Sequence, residues 1–177
     1  MKPPETLNTS RLLLRLPITD DAETIFQKYA QDVEVTKFLT WHPHQKVEES
    51  REFVNRCEHC WEDGTAYPWV ITRKEDNELL GMIEMRIDGF SADIGYVIAR
   101  EYWGNGFAPE AVGVIIDWAL KQDGIHRVWA VCDVDNVASA RVMEKVGMHN
   151  EGILHQHILH PNIDSDLRDC FCYSINK

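Results

Sequence analysis

The chain has 177 residues, enough to bury a real core within one domain spanning 1–177. Its 18 Lys and Arg face 29 Asp and Glu, and a formal charge of −11 argues against nucleic-acid binding, which rests on a basic surface. A hydrophobic content of 44% excludes a disordered chain, and no uncharged apolar run approaches the roughly 18 residues of a membrane span.

Met1 to Glu5 hold no apolar stretch, so a secretory leader is not expected and the cytoplasm is. Arg11 to Leu16 is a short apolar run closed by Pro17 and reads as a first strand. Asp20, with Glu23 three residues on, predicts a capping box opening a helix through Ile25, Phe26 and Tyr29. Val33 to Leu39 predicts further helical turns, and Trp41-His42-Pro43-His44 a loop. Positions 47, 50, 54, 57 and 61 are apolar or small, the spacing of one buried helical face over Val47–Trp61.

Strands are predicted next, at Tyr67–Thr72, Leu79–Ile87 and Ala92–Ile98, joined by the turn formers Glu75-Asp76-Asn77 and Asp88-Gly89 as an antiparallel meander. A glycine loop, Trp103-Gly104-Asn105-Gly106, leads to a helix from about Pro109 to Lys121. Arg127–Val134 reads as a strand and Ala138–Val146 as a helix stopped by Gly147. Gly152–Leu159 and Arg168–Ile175 read as closing strands around the loop Pro161–Ser165. This order predicts a mixed α/β domain built on one mostly antiparallel sheet. Ala92–Ile98 and Arg127–Val134, joined through a helix, are expected to run parallel.

The odd cysteine count predicts reduced thiols. Cys57 and Cys60 lie on a helix where packing explains Cys57, and Cys170 and Cys172 lack chelating spacing, so no metal site is expected.

The strand end, glycine loop and helix start over Ile98–Ala111 form a place where unpaired amides and the helix dipole suit a phosphate. A dinucleotide fold would need a third glycine where Pro109 stands, and a P-loop would need Gly-Lys-Ser/Thr. One further strand along comes Asp135-Asn136-Val137-Ala138-Ser139, followed by Lys145-Val146-Gly147-Met148. Together the stretches resemble the GNAT superfamily of acyl-CoA-dependent N-acetyltransferases. Its pyrophosphate motif overlies Trp103 to Ala108, with Trp103 in place of the usual basic or amide residue. Arg11-Leu12-Leu13-Leu14-Arg15, Gly95-Tyr96, Tyr102-Trp103-Gly104 and Arg168-Asp169 are similar to the RimJ/RimL-like branch, which acetylates protein N-termini.

The resemblance implies acetyl-CoA as cosubstrate. Its diphosphate would rest on Trp103, Gly104, Asn105, Gly106, Phe107 and Ala108, its pantetheine would pair with the backbone near Ile98, and Asn136 would bond that arm. Ser139 would lie near the sulfur as proton donor. It also implies a primary amine as acceptor, and dimers are common in the superfamily.

Only a free amine attacks a thioester. An α-amine of pKa about 7.7–8.0 costs about 1 kcal/mol to free at pH 7, whereas a lysine costs roughly 4–5 kcal/mol and needs a real base. Base candidates are Glu84, a carboxylate interrupting an apolar run, and the pair His155 and His157, placed on one face by strand alternation. Trp41, His42, Tyr67 and Trp69 are candidates for the acceptor pocket, with burial in the core the plainer reading of Trp69. Three readings follow: acetylation of a protein N-terminus, acetylation of a small amine such as a polyamine or antibiotic, and a non-catalytic acyl-CoA-binding module.

Overall fold

A computed structural model describes residues 1–177. Strands β1 (Thr6–Asn8) and β2 (Leu12–Arg15) precede a helical layer: α1 (Asp21–Ile25), which runs on as a π turn over Phe26–Ala30, then α2 (Val33–Thr36) and α3 (Val47–Asp63). The meander β3 (Tyr67–Arg73), β4 (Leu79–Asp88) and β5 (Ser91–Ile98) follows, then α4 (Phe107–Leu120), β6 (Arg127–Asp133) and α5 (Val137–Lys145). The hairpin β7 (His149–Leu159) and β8 (Leu167–Asn176) ends the chain. All strands join one sheet of eight in the order β1-β2-β3-β4-β5-β6-β8-β7. No helix is long and apolar enough to cross a membrane.

Strand alternation divides the core between the two faces of the sheet. Trp69, Ile71, Ile83, Met85 and Ile94 pack with Ala111, Val112, Ile115 and Ile116 of α4 in the larger cluster. Val70, Met82 and Ala99 pack with Ile25, Tyr29, Val54 and Cys57 of the helical layer in the smaller one. The expected stripe of α3 is realised, with Ser50, Val54, Cys57 and Trp61 buried. Gly64 ends that helix at φ 70°, and Gly147 is likewise left-handed after α5, at φ 83°.

The one parallel contact defines the functional architecture. β5 and β6 pair only over Ser91↔Arg127, Ala92↔Val128 and Asp93↔Trp129. Beyond these residues β5 stays with β4 as far as Gly81↔Ile98, and β6 stays with β8 as far as Asp133↔Cys170. The two strand ends therefore diverge and leave a V-shaped gap in the sheet.

Some local expectations are corrected. Asp20 makes no capping bond, because at φ −67° and ψ −19° it is already helical and its carboxylate cannot turn back onto the first amides. Asp21 instead accepts the Ile18 N–H at 2.8 Å and both terminal nitrogens of Arg15 at 2.8 and 2.7 Å. β1 was not anticipated, since Leu7 is its one buried residue. α4 begins at Phe107, two positions before Pro109, because left-handed Gly106 at φ 77° sets the helix start. His155 and His157 do not share a face: the β7–β8 register shifts between Leu154 and Ile158, with Gln156 at φ 48°. Asp169 holds this bulge, accepting the Gln156 N–H at 2.9 Å and contacting His155 Nδ1 at 2.8 Å.

Candidate active site

The loop between β5 and α4 is braced by its own side chains and leaves its amides free. Gly104 and Gly106 have φ of 78° and 77°, values that L side chains adopt only with strain. Trp103 Nε1 donates to the Ile98 carbonyl at 2.7 Å, and Asn105 Nδ2 donates to the Tyr102 and Trp103 carbonyls, each at 3.1 Å. The amides of Gly104, Asn105, Gly106, Phe107 and Ala108 donate no hydrogen bond within the chain. A run of unpaired N–H groups on two left-handed glycines at the N-terminus of α4 is an arrangement chemically suited to an anion. The side chains of Trp103 and Asn105 thus serve the loop, and the backbone is what remains for a ligand.

Pairing alternation locates the strand edge facing the gap. The Ala99 amide donates to Leu80 on β4, so the amide and carbonyl of Ile98 point the other way, into the gap. Its carbonyl already holds the Trp103 indole, which leaves the amide for an incoming chain.

Across the gap, Asn136 caps α5 by accepting the Ser139 N–H at 3.2 Å. Tyr96 of β5 reaches Ser139 from the opposite side, with hydroxyl and Oγ 2.8 Å apart. Burial pushes the Tyr96 phenol above its ordinary range, so it stays protonated as a donor. Nearby Cys132, buried, has a thiol pushed up to about 12, also by burial.

A cavity of about 420 Å³ passes from this point to the helical face of the sheet. Its walls include Asn136, Ser139, Glu84 and Trp41, which the structure thus brings together as predicted site residues, and also Tyr96 and Gly95. Gly95 lies opposite Glu84 in the β4–β5 register, and a Cβ placed on it would meet nothing within 4 Å, leaving open floor beside the carboxylate. Burial raises the Glu84 carboxyl above its ordinary value, while Arg86, bonded to it at 2.8 Å, works in the other direction. Arg86 also pairs with Asp93, and Arg168 grips Asp133 from 2.5 Å. Each carboxylate of the cavity wall is therefore bonded to an arginine, with Glu84 and Asp93 sharing Arg86.

Trp69 does not belong to this site. Alternation turns Pro68 toward the cavity and Trp69 into the larger cluster, where it is fully buried, edge-to-face with Trp61 at 5.2 Å, with its indole N–H on the Pro4 carbonyl. Tyr67 is likewise core. His42 lies outside the cavity, its Nδ1 at 2.9 Å from Asn162 Oδ1. The bulge in β7 turns His157 to the cavity rim and leaves His155 on Asp169.

Sequence reasoning assigned no role to Tyr96, Asn162 or His160. Asn162 Nδ2 donates to the Thr36 and Trp41 carbonyls at 2.7 and 2.8 Å, tying the β7–β8 loop to the Trp41 wall. His160, 4% exposed, has neither ring nitrogen in a hydrogen bond, and burial lowers its pKa against the pull of Asp133, 3.8 Å from Nε2. Gly95-Tyr96 stood among the branch's marks; the other two carried no spacing signal.

The family model described as an acetyltransferase (GNAT) domain matches residues 11–149. The uncharacterized N-acetyltransferase YoaA of Bacillus subtilis is 32% identical over 160 residues, covering 86% of this chain and 87% of that protein. The [ribosomal protein uS5]-alanine N-acetyltransferase of Escherichia coli is 24% identical over 176 residues, covering 94% and 88%. A crystal structure of a GNAT-family acetyltransferase from Bacillus anthracis superposes with a TM-score of 0.84 at 28% identity, over 97% of this chain and 98% of that one. The family expected from the glycine loop and the Asn136–Ser139 block is the family found: this chain belongs to the GNAT acetyltransferases and is an acetyl-CoA-dependent N-acetyltransferase.

Proposed function

We propose that the protein acetylates the α-amine of a peptide or protein N-terminus. The observation that carries this reading is the pairing of every carboxylate in the cavity wall: Glu84 and Asp93 with Arg86, and Asp133 with Arg168. A polyamine needs unpaired anions to bind, and a lysine needs a strong base to lose its proton. An α-amine is already partly free near neutrality. An apolar chamber, with 15 of its 26 lining residues hydrophobic, suits a first residue with a small or apolar side chain. The ribosomal-protein acetyltransferase among the relatives supports the same acceptor class.

In this reading the diphosphate of acetyl-CoA rests on the amides of Gly104 to Ala108 and its pantetheine arm meets Ile98 and Asn136. The neutral amine attacks the thioester carbonyl carbon, a C–N bond forms and the C–S bond breaks. Nitrogen becomes far more acidic once bonded to that carbon, so Glu84, weak as a base toward a free ammonium, suffices to take the proton. The departing thiolate takes its proton from the Tyr96–Ser139 hydroxyl pair.

A thiol-release assay with acetyl-CoA tests the reading across N-terminal peptides, N-blocked lysine peptides and polyamines. Release with N-terminal peptides alone supports it. Preference for lysine or polyamine, or tight CoA binding with no turnover on any amine, contradicts it.

A further inference from the structure

The turn between β1 and β2 lies about a hundred residues from the glycine loop in sequence, as shown by the separation of 99 between Arg11 and Glu110, yet it is clamped onto that loop. Glu110, in the first turn of α4, collects donors on both oxygens. Oε1 accepts from Thr9 Oγ1, from Ser10 Oγ at 3.2 Å and from the Arg11 N–H at 2.9 Å. Oε2 meets Arg11 Nε at 2.7 Å and Nη2 at 2.6 Å. Burial alone would raise the Glu110 carboxyl, but these donors outweigh it and hold the group below its ordinary value, hence ionised.

The same guanidinium reaches the loop itself. Nη1 donates to the Asn105 carbonyl at 3.1 Å, and the group lies 4.6 Å over the Phe107 ring. A trans peptide is rigid, so its carbonyl and the following N–H point in opposite directions. Fixing the Asn105 carbonyl on Arg11 therefore turns the Gly106 N–H away from Arg11. Arg11 also neutralises a carboxylate that would otherwise stand beside a bound anion.

We propose that Arg11 is a positioning residue of the cofactor cradle, aiming the Gly106 amide at the diphosphate and cancelling the charge of Glu110. The inference rests on the reading that the loop of residues 104 to 108 holds that diphosphate. Lysine would keep the charge, but its single ammonium cannot hold Glu110 in a fork and the Asn105 carbonyl together.

The test titrates wild type, Arg11→Ala, Arg11→Lys and the Arg11→Ala/Glu110→Gln double variant with CoA and with pantetheine, which lacks the diphosphate. Amide NMR gives both affinities, and thermal midpoints are recorded alongside. Arg11→Ala is expected to weaken CoA about tenfold and Arg11→Lys by a smaller factor, with pantetheine unchanged within about twofold. The double variant recovers part of the CoA affinity, because the bare carboxylate is gone. Equal loss for both ligands, or no loss for either, overturns the role of Arg11. Equal affinity of the wild type for CoA and pantetheine overturns the diphosphate reading beneath it.

Discussion

The hydroxyl of Tyr96 lies 2.8 Å from Ser139 Oγ, joining β5 to the first turn of α5 across the gap where those elements diverge. One hydroxyl can hand its proton to the leaving thiolate while the other hydrogen-bonds the oxyanion left behind, and solvent returns the missing proton. Tyr96→Phe and Ser139→Ala are each expected to lower kcat about tenfold, and the double variant by about a hundredfold or more. Acetyl-CoA affinity should hold within about threefold by calorimetry. An unaltered kcat in the double variant would remove the donor role.

Gly95 lines the floor of the cavity proposed to take the acceptor. A Cβ there meets nothing within 4 Å, so a side chain can start at this position without a clash, and Gly95→Leu is expected to extend into the space beside Glu84. The acceptor KM should rise about tenfold or more with the thermal midpoint maintained or raised, since glycine is a poor strand residue. Steady-state kinetics with an N-terminal peptide checks this, and an unchanged KM would move the acceptor elsewhere.

Asn162 holds the opposite wall. Its side-chain amide bonds the carbonyls of Thr36 and Trp41, and its oxygen meets His42. Asn162→Ala removes all three contacts and frees the Trp41 segment. Acceptor KM is expected to rise several-fold while the Kd for acetyl-CoA stays at the wild-type value, because neither the glycine loop nor Asn136 is touched. A shift in both constants would indicate general loosening of the fold.

Acid should unfold the protein through its arginine-paired carboxylates. Arg127 and the Ser174 hydroxyl hold Glu151 down at about 2, and Arg168 outweighs burial to keep Asp133 below its ordinary value. A carboxylate with a depressed folded pKa stabilises the fold at every pH above its unfolded value, about 4, and loses that contribution as pH falls toward the folded value. The urea midpoint is therefore expected to decline gently from pH 7 to about 5, where the unfolded chain protonates His44 and His160 before the folded one does, and to drop steeply between about pH 4 and 2. Glu151→Gln should flatten part of that drop. A midpoint insensitive to acid would contradict these pairings.

Much of this fold was legible because its signals are local. The apolar stripe of α3, the turn-bounded β-forming runs of β3 to β5 and the left-handed stop at Gly147 each follow from neighbours within a few residues. The parallel contact of β5 with β6 followed from a strand–helix–strand order. What escaped was long-range. Trp69 and Pro68 differ by one position, and which of them faces the cavity depends on strand register, which a single aromatic does not report. The His155–His157 alternation failed because Asp169, on the partner strand, captures an amide and builds a bulge that the β7 sequence does not signal. Tyr96 meets Ser139 through a gap created by strand divergence, and Asn162 meets Trp41 from across the molecule. Such meetings arise from tertiary packing, beyond the reach of spacing.

A peptide carrying both a free N-terminus and an internal lysine, incubated with the enzyme and acetyl-CoA and mapped by mass spectrometry, shows which amine the enzyme acetylates. At pH 7.5 roughly a quarter to a third or more of an α-amine is free against about 0.1% of a lysine. Acetyl is expected on the α-nitrogen, in excess over the lysine by at least about a hundredfold. Acetyl placed chiefly on the lysine, or on neither amine, would contradict it.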